Sequence, residues 1–220
     1  MLHDICTGKT GTITEGKMNV AKMQFFSRIE TQDNDFKNYP AFFKNRVNLQ
    51  QELKELITEA IVSNTDVRVE PNDELLILEP FGQEIEVGMI QFLIDNGEDI
   101  QNLFISRNRL MEKIVQLPFC QTRKRMIVVR KVANDPTQAR VYIKGAPEYV
   151  IPICTETIDE DMQQIELGED DNYRILEDVV SGGMARHGYK TLSYAYKQIP
   201  LDDLQTLMEQ YHIESEEFRE

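Results

Sequence analysis

The sequence predicts an α+β domain with a mainly antiparallel sheet, and three observations carry that expectation. Apolar segments at 125–132 and 139–144 flank Asn134-Asp135-Pro136, a turn signal that joins consecutive strands as a hairpin. Leu49, Leu53, Leu56, Ile57, Ala60 and Ile61 fall on one stripe at 3.6 residues per turn, which is the covering face of a helix. Leu192, Tyr194 and Tyr196 alternate with period two as a final strand. Hairpin-joined strands with amphipathic helices packed around them define this class, and no parallel-sheet pattern is visible.

The elements follow in chain order. Met1 to Lys17 is rich in Thr and Gly and reads as a strand end running into a loop. Val20, Lys22 and Gln24 alternate with Ala21, Met23 and Phe25, which predicts a half-exposed strand. Residues 28–46 have no period and read as a variable loop or insertion. Asn48 is placed to cap the first helix, and the polar run from Asn64 to Asp73 reads as a turn region. Ile85, Met89, Phe92 and Leu93 predict a second helix closed by Asn96-Gly97, and a short third helix follows near Ile100 to Arg107. A strand is expected at 113–118, then the hairpin pair. The acidic run 155–171 reads as a solvated insertion. Ile175, Val179, Val180 and Met184 predict a helix ending near Gly188, and Asp202 to Glu220 is an acidic helical tail.

With 220 residues, 41% of them hydrophobic and 28% charged, the chain has the balance of an ordinary globular protein with a sizeable core. Its net charge of −14 repels nucleic-acid phosphates and anionic membrane surfaces, which argues against nucleic acid as a partner. Any anionic ligand therefore requires a local basic patch on an acidic body. Cys6, Cys120 and Cys154 form no CxxC pair and suggest reduced thiols rather than a disulfide framework. His3, His187 and His212 have no metal-ligand spacing with them. No stretch approaches the ~18–20 apolar residues of a membrane span, and no signal-peptide pattern is visible.

Four short segments carry chemistry. In Tyr142-Ile143-Lys144-Gly145-Ala146-Pro147-Glu148, Lys144 leaves the end of a strand and Gly145 permits close backbone approach, so an ammonium can lie against a ligand. In Pro118-Phe119-Cys120-Gln121-Thr122-Arg123-Lys124-Arg125-Met126 an aromatic stands beside a basic run; taken alone, Phe119 reads as a core aromatic and Arg123-Lys124-Arg125 as a solvated strand face or a nucleic-acid patch. Gly82-Gln83-Glu84-Ile85-Glu86-Val87 places Glu86 at a helix start, where a solvated helix-face role is the bland alternative. Gly188-Tyr189-Lys190-Thr191-Leu192-Ser193-Tyr194-Ala195-Tyr196 adds a third lysine, Lys190.

Taken in order with Ile5-Cys6-Thr7-Gly8-Lys9-Thr10-Gly11-Thr12-Ile13-Thr14, these segments resemble the motifs of P-type ATPases, ATP-driven ion pumps. The N-terminal run is similar to the family's D-K-T-G-T-[LI]-T phosphorylation signature, with Gly8 where the family has the aspartate that accepts the phosphoryl group. Glycine has no side chain to attack with, and Asp4 cannot take over because in-line attack needs about 3–3.5 Å.

The remaining segments resemble the family's nucleotide-binding domain. That resemblance implies a twisted antiparallel sheet flanked by helices on both sides. It implies a nucleotide site with Phe119 on adenine, Lys124 and Met126 completing the pocket, Glu86 on the adenine edge, and Lys144, Gly145 and Lys190 beside the nucleotide. Lys190 stands where the family usually has arginine, keeping the charge and losing the bidentate fork.

The expected organisation is a remnant of the phosphorylation signature and hinge at 1–17, a nucleotide-binding domain at 18–201 and an acidic segment at 202–220 leading back to the phosphorylation domain. The implied ligand is ATP with Mg²⁺, and no residue is assigned as catalytic or as a metal ligand. The implied partners are the phosphorylation and actuator domains of a parent pump. The chain itself is expected to be monomeric, on the cytoplasmic side of the parent's membrane and out of contact with it. The wording of the motifs leans towards pumps that transport calcium. Two alternatives remain: a nucleotide sensor that lost its aspartate, and a haloacid-dehalogenase-like phosphatase. The second needs its own acidic nucleophile and a Mg²⁺-binding Asp pair in a parallel-sheet core, whereas Asp170-Asp171 falls in the acidic insertion.

Overall fold

A computed structural model of the chain describes residues 14–21, 23, 51–72, 77–159 and 161–210. The motif around Gly8, the proposed cap at Asn48 and the segment 28–46 lie outside those residues. The main sheet has four strands in the order β3 (Lys113–Leu117), β4 (Arg125–Val132), β5 (Asp135–Gly145) and β8 (Ser193–Pro200), all antiparallel. Two small ribbons accompany it, β1 (Arg68–Asn72) with β2 (Ile77–Phe81) and β6 (Glu156–Ile158) with β7 (Gln164–Glu166), and the one-turn helix α4 (Pro147–Val150) follows β5.

Helices cover both faces of the main sheet, as expected from the resemblance. Register decides which side chain goes where, because partners directly opposite share a face. Met126, Lys144 and Tyr194 form one cross-strand row, and Val128, Tyr142 and Tyr196 the next. This face meets α1 (Gln51–Ser63), α2 (Glu84–Asp95) and α3 (Ile100–Leu110). The core between them holds Ile61, Val62, Val67, Ile90, Phe92, Leu93 and Ile100, with Tyr194 of the sheet packed against it. Val129, Val141 and Ile199 point to the opposite face, where Leu204 of α6 (Leu201–Gln210) is buried among them with Leu201 and Met208 packed alongside.

Local chemistry explains the helix boundaries. The α2 terminus is a Schellman motif: Gly97 sits at φ 88°, its N–H reaches the Ile94 carbonyl, and Glu98 N–H reaches that of Leu93. Asn96 Nδ2 donates to the Phe92 carbonyl at 2.7 Å in the same turn. Asp99 then opens α3 by accepting from Asn102 N–H at 3.1 Å.

Of the alternating stretch 20–25 only Val20, Ala21 and Met23 are described, and they lie outside any strand; the Met18 carbonyl just before them lies 2.5 Å from where a Cβ on Gly88 would stand, so the chain there is laid on α2. Three readings are corrected. The polar run after α1 is a turn only as far as Val67, because Arg68–Asn72 pairs with Ile77–Phe81. The hairpin turn falls at Ala133-Asn134, and Asp135-Pro136 already belong to β5 across a register shift at Lys131/Val132. The acidic stretch holds the β6–β7 ribbon and the start of α5 (Glu169–Arg174).

The helix ending near Gly188 is present, but its stripe is not 3.6-periodic throughout. Ile175–Met184 is a π-helix that continues α5 and closes through a turn at Gly188, φ 80°. The carbonyls of Glu177 and Asp178 stand 3.1 and 3.2 Å from where Cβ atoms on Gly182 and Gly183 would be. The glycine pair is what lets the wider winding close.

Candidate functional site

Sheet topology brings the candidate residues to one end. Arg125 pairs with Gly145, and Gly145 with Ser193, so this row closes the sheet. The loop carrying Phe119 and Lys124 enters β4 there, Ala146 leaves β5 there, and Lys190 immediately precedes β8 there. Phe119 projects from its loop with 44% of its surface exposed. Met126 beneath the loop is buried.

The loop is fixed by backbone geometry. Lys124 takes φ 53°, its N–H bonds the Cys120 carbonyl at 2.8 Å, and its carbonyl accepts from Ala146 N–H at 3.0 Å. A Cβ on Gly145 would stand 2.4 Å from that same carbonyl and 2.6 Å from Arg125 Cβ, so only glycine fits. Lys124 Nζ donates to Gln121 Oε1 at 2.6 Å within the loop. Lys190 is exposed.

Lys144 is placed differently. Its Nζ donates to Glu86 Oε1 and to the Asn64 carbonyl, both at 2.5 Å, and the two side chains are 6% and 11% exposed. Glu86 Oε2 accepts from Thr65 Oγ1 at 2.8 Å and from Asp66 N–H at 2.9 Å. Burial pushes the Glu86 carboxyl up, but the Lys144 charge and these three hydrogen bonds outweigh it and hold the group below its usual range. Burial draws the Lys144 ammonium below its usual value, with the Glu86 carboxylate opposing. Tyr194, opposite Lys144 across β8, is held neutral by burial and by the Glu86 charge, which push its phenol well up.

The Asn64 contact belongs to a larger device. α1 has no basic residue in its last turn, yet its final carbonyls need donors and its dipole favours cations. Three other elements supply them. Arg107 Nη1 of α3 reaches the Val62 carbonyl at 2.8 Å, Arg130 Nε of β4 reaches that of Ser63 at 3.1 Å, and Lys144 of β5 reaches that of Asn64. One turn earlier, Glu59 of α1 pairs with Arg140 and accepts from Tyr142 Oη at 2.5 Å.

Sequence reasoning named Glu86, Phe119, Lys124, Met126, Lys144, Gly145 and Lys190. Met126, Lys144, Gly145 and Glu86 are joined by strand pairing or direct contact, Lys124 by the bond to Ala146, and Phe119 and Lys190 by their place at the sheet end. Sequence reasoning missed Asn64, Thr65, Asp66 and Tyr194. Asn64 is fully buried, and its side-chain amide meets no partner among the described residues. Among the described residues no three His, Cys, Asp or Glu side chains cluster as a metal site.

Fold and site together define an α+β domain with a polar ion-paired floor and an exposed aromatic loop at one end of its sheet. Comparison places it in a known family. The model of the P-type ATPase cytoplasmic domain N matches residues 52–220, and the chain belongs to that family. Its relatives include calcium-transporting ATPase 10, plasma membrane-type, of Oryza sativa subsp. japonica, 28% identical over 89% of this chain and 18% of that protein. Calcium-transporting ATPase 4, plasma membrane-type, of Arabidopsis thaliana is 26% identical over 89% of this chain and 18% of its own length. Calcium-transporting ATPase 1 of Bacillus cereus is 26% identical over 88% of this chain and 19% of its own. The chain thus spans less than a fifth of these relatives. No helix among its described residues is long and apolar enough to cross a membrane.

Proposed function

We propose that the end of the sheet bearing Phe119 binds ATP, with the adenine stacked on Phe119 above Met126 and Lys124. The observation that carries this reading is an exposed aromatic ring on the loop that enters the sheet end, one row from the buried Lys144 of the Glu86–Lys144 pair, in a chain of this family. Glu86, whose three present bonds leave a carboxylate one further acceptor site, is the adenine-edge acceptor. Lys144 fixes that carboxylate and supplies positive potential from below, since its ammonium already has two partners. Lys190, exposed beside the sheet end, is the cation on the phosphate side, where Mg²⁺ arrives with the nucleotide.

In a full-length protein of the relatives' kind, 18–201 acts as the nucleotide-binding unit and is hinged by the flanking segments. It presents the γ-phosphate to an aspartate of a phosphorylation domain, and catalysis there is positioning plus charge neutralisation. The pump so driven moves calcium at a membrane, in line with the relatives' names. With Gly8 at the aspartate's position, the 220-residue chain binds nucleotide without turnover. Stacking plus a few cations supports a Kd on the order of 10⁻⁴ to 10⁻³ M.

The test is calorimetric or NMR titration of Mg·ATP into the chain and its Phe119→Ala variant. Removing the stack weakens binding by about 5- to 150-fold, equivalent to ~1–3 kcal/mol. Equal affinities for the two chains would rule out the adenine assignment.

A further inference from the structure

A polar cleft shares Thr65 and Asp66 with the surroundings of Glu86, but neither Glu86 nor Lys144 lines it. It encloses about 460 Å³, within the range of small-molecule sites, between the α1–β1 connection, the end of α3 and the start of β3. Arg107 and Arg130 form its cationic wall, with Arg68 and Lys113 at its margin and Asp66 and Glu112 as its carboxylates.

We propose that this cleft binds a small organic oxyanion, a phosphate or carboxylate compound, gripped by the guanidinium groups of Arg107 and Arg130. It is separate from the proposed nucleotide site.

Three observations support it. First, Arg130 is 5% exposed, and its hydrogen bonds go to neutral carbonyls, Ser63 by Nε and Met111 by Nη1 at 3.0 Å. Arg107 likewise spends Nη1 on the Val62 carbonyl and Nε on Asn108 Oδ1. Neither has a carboxylate ion-pair partner among the described residues. A guanidinium carries five N–H donors, so both retain donors for an oxyanion, whose geometry the fork matches.

Second, the Arg130 charge bears on Arg107. Burial and the Arg130 charge bring Arg107 down to about 10, and the Asp66 charge offsets this only in part. Burial also lowers Arg130. Like charges held together out of water gain from a bound anion. Third, the cleft's own carboxylates are bound to groups other than the two guanidiniums, Asp66 to a side chain of the cleft wall. Glu112 pairs with Lys131 at 2.5 Å, and Asp66 Oδ1 accepts from Gln116 Nε2 at 2.6 Å. Four cations against two carboxylates make a local positive site on a chain of net charge −14.

The 220-residue chain is titrated by NMR with inorganic phosphate and, separately, with acetate, at constant ionic strength held by chloride. The backbone amides of Asp66, Val67 and Asn108 shift and saturate with at least one probe, and the tighter probe identifies the oxyanion class. Arg107→Gln weakens that binding by about tenfold or more, and Arg107→Lys by less. Asp66→Asn removes the opposing carboxylate and tightens binding a fewfold, a gain that misfolding cannot mimic. The Lys190 amide does not move over the range in which Asp66, Val67 and Asn108 saturate, which separates this site from the phosphate side of the nucleotide site; a Lys190 amide that titrates in step with them would overturn the assignment. Shifts that rise linearly with both probes, an Arg107→Gln curve that overlays the wild type, or no gain with Asp66→Asn would each overturn the proposal.

Discussion

Replacing Lys144 by methionine tests the ion-paired floor directly. Methionine keeps most of the aliphatic stem against Met126 and Tyr194 and removes the ammonium. Two hydrogen bonds disappear, to Glu86 and to the Asn64 carbonyl. Glu86 then keeps only Thr65 Oγ1 and Asp66 N–H, at a position 11% exposed. Removing one partner of a buried pair costs about 3–5 kcal/mol, because the survivor stays desolvated and unpaired. With a urea slope of about 2–3 kcal/mol/M the variant's midpoint falls by about 1–2.5 M, a large share of a total stability of about 5–15 kcal/mol.

Circular dichroism during urea unfolding at pH 7 reads this shift. The double variant Glu86→Gln, Lys144→Met removes both charges and recovers part of the loss, so the cycle reports a coupling of about 1.5–3 kcal/mol. A Lys144→Met midpoint within about 0.3 M of wild type, or strictly additive losses, would refute a buried, coupled pair.

Further outcomes follow from the same geometry. The Glu86 carboxyl lies below its ordinary range in the folded chain, so its stabilisation is fully present above about pH 4.5 and disappears as pH falls through its lowered folded value. Glu86→Gln therefore flattens the stability profile between about pH 5 and pH 2, measured by urea midpoints, and an unchanged slope would contradict the pairing. Gly145→Ala forces a Cβ onto the Lys124 carbonyl at 2.4 Å and costs about 1–3 kcal/mol, with loss of exchange protection at the Ala146 amide as its local signature. Phe119, 44% exposed, contributes little to the core, so Phe119→Ala changes stability by less than about 1 kcal/mol while weakening Mg·ATP as stated above.

The elements legible in the sequence are those whose period and punctuation agree. α2 announces itself by its stripe and by Asn96-Gly97, and the structure builds a Schellman motif from those two residues. β4 and β5 are legible because both are long and apolar. The β1–β2 ribbon is not, since Pro71 and Pro80 sit within its strands and a two-stranded edge tolerates what a central strand would not. The alternation at 20–25 is a strand's pattern, yet its described residues follow a backbone that meets a helix.

In the site, motifs identified Glu86 and Lys144 one at a time. That they neutralise each other across 58 residues depends on α2 lying over the end of β5, which no local pattern encodes. Asn64, Thr65 and Asp66 were hidden for the same reason. Each is an ordinary turn residue until distant elements arrive to use its carbonyl, hydroxyl or amide.

The cations gathered on the end of α1 carry a consequence for how the chain folds. Arg107, Arg130 and Lys144 reach carbonyls 45, 67 and 80 residues earlier in the chain. These contacts have high sequence separation, and their loop-closure entropy must be met before they stabilise anything. The last turn of α1 is therefore fixed late, after α3, β4 and β5 have come together around it. Mutations at those three positions should accelerate unfolding more than they slow folding. A helix early in the sequence is thus completed by residues that a ribosome releases long afterwards.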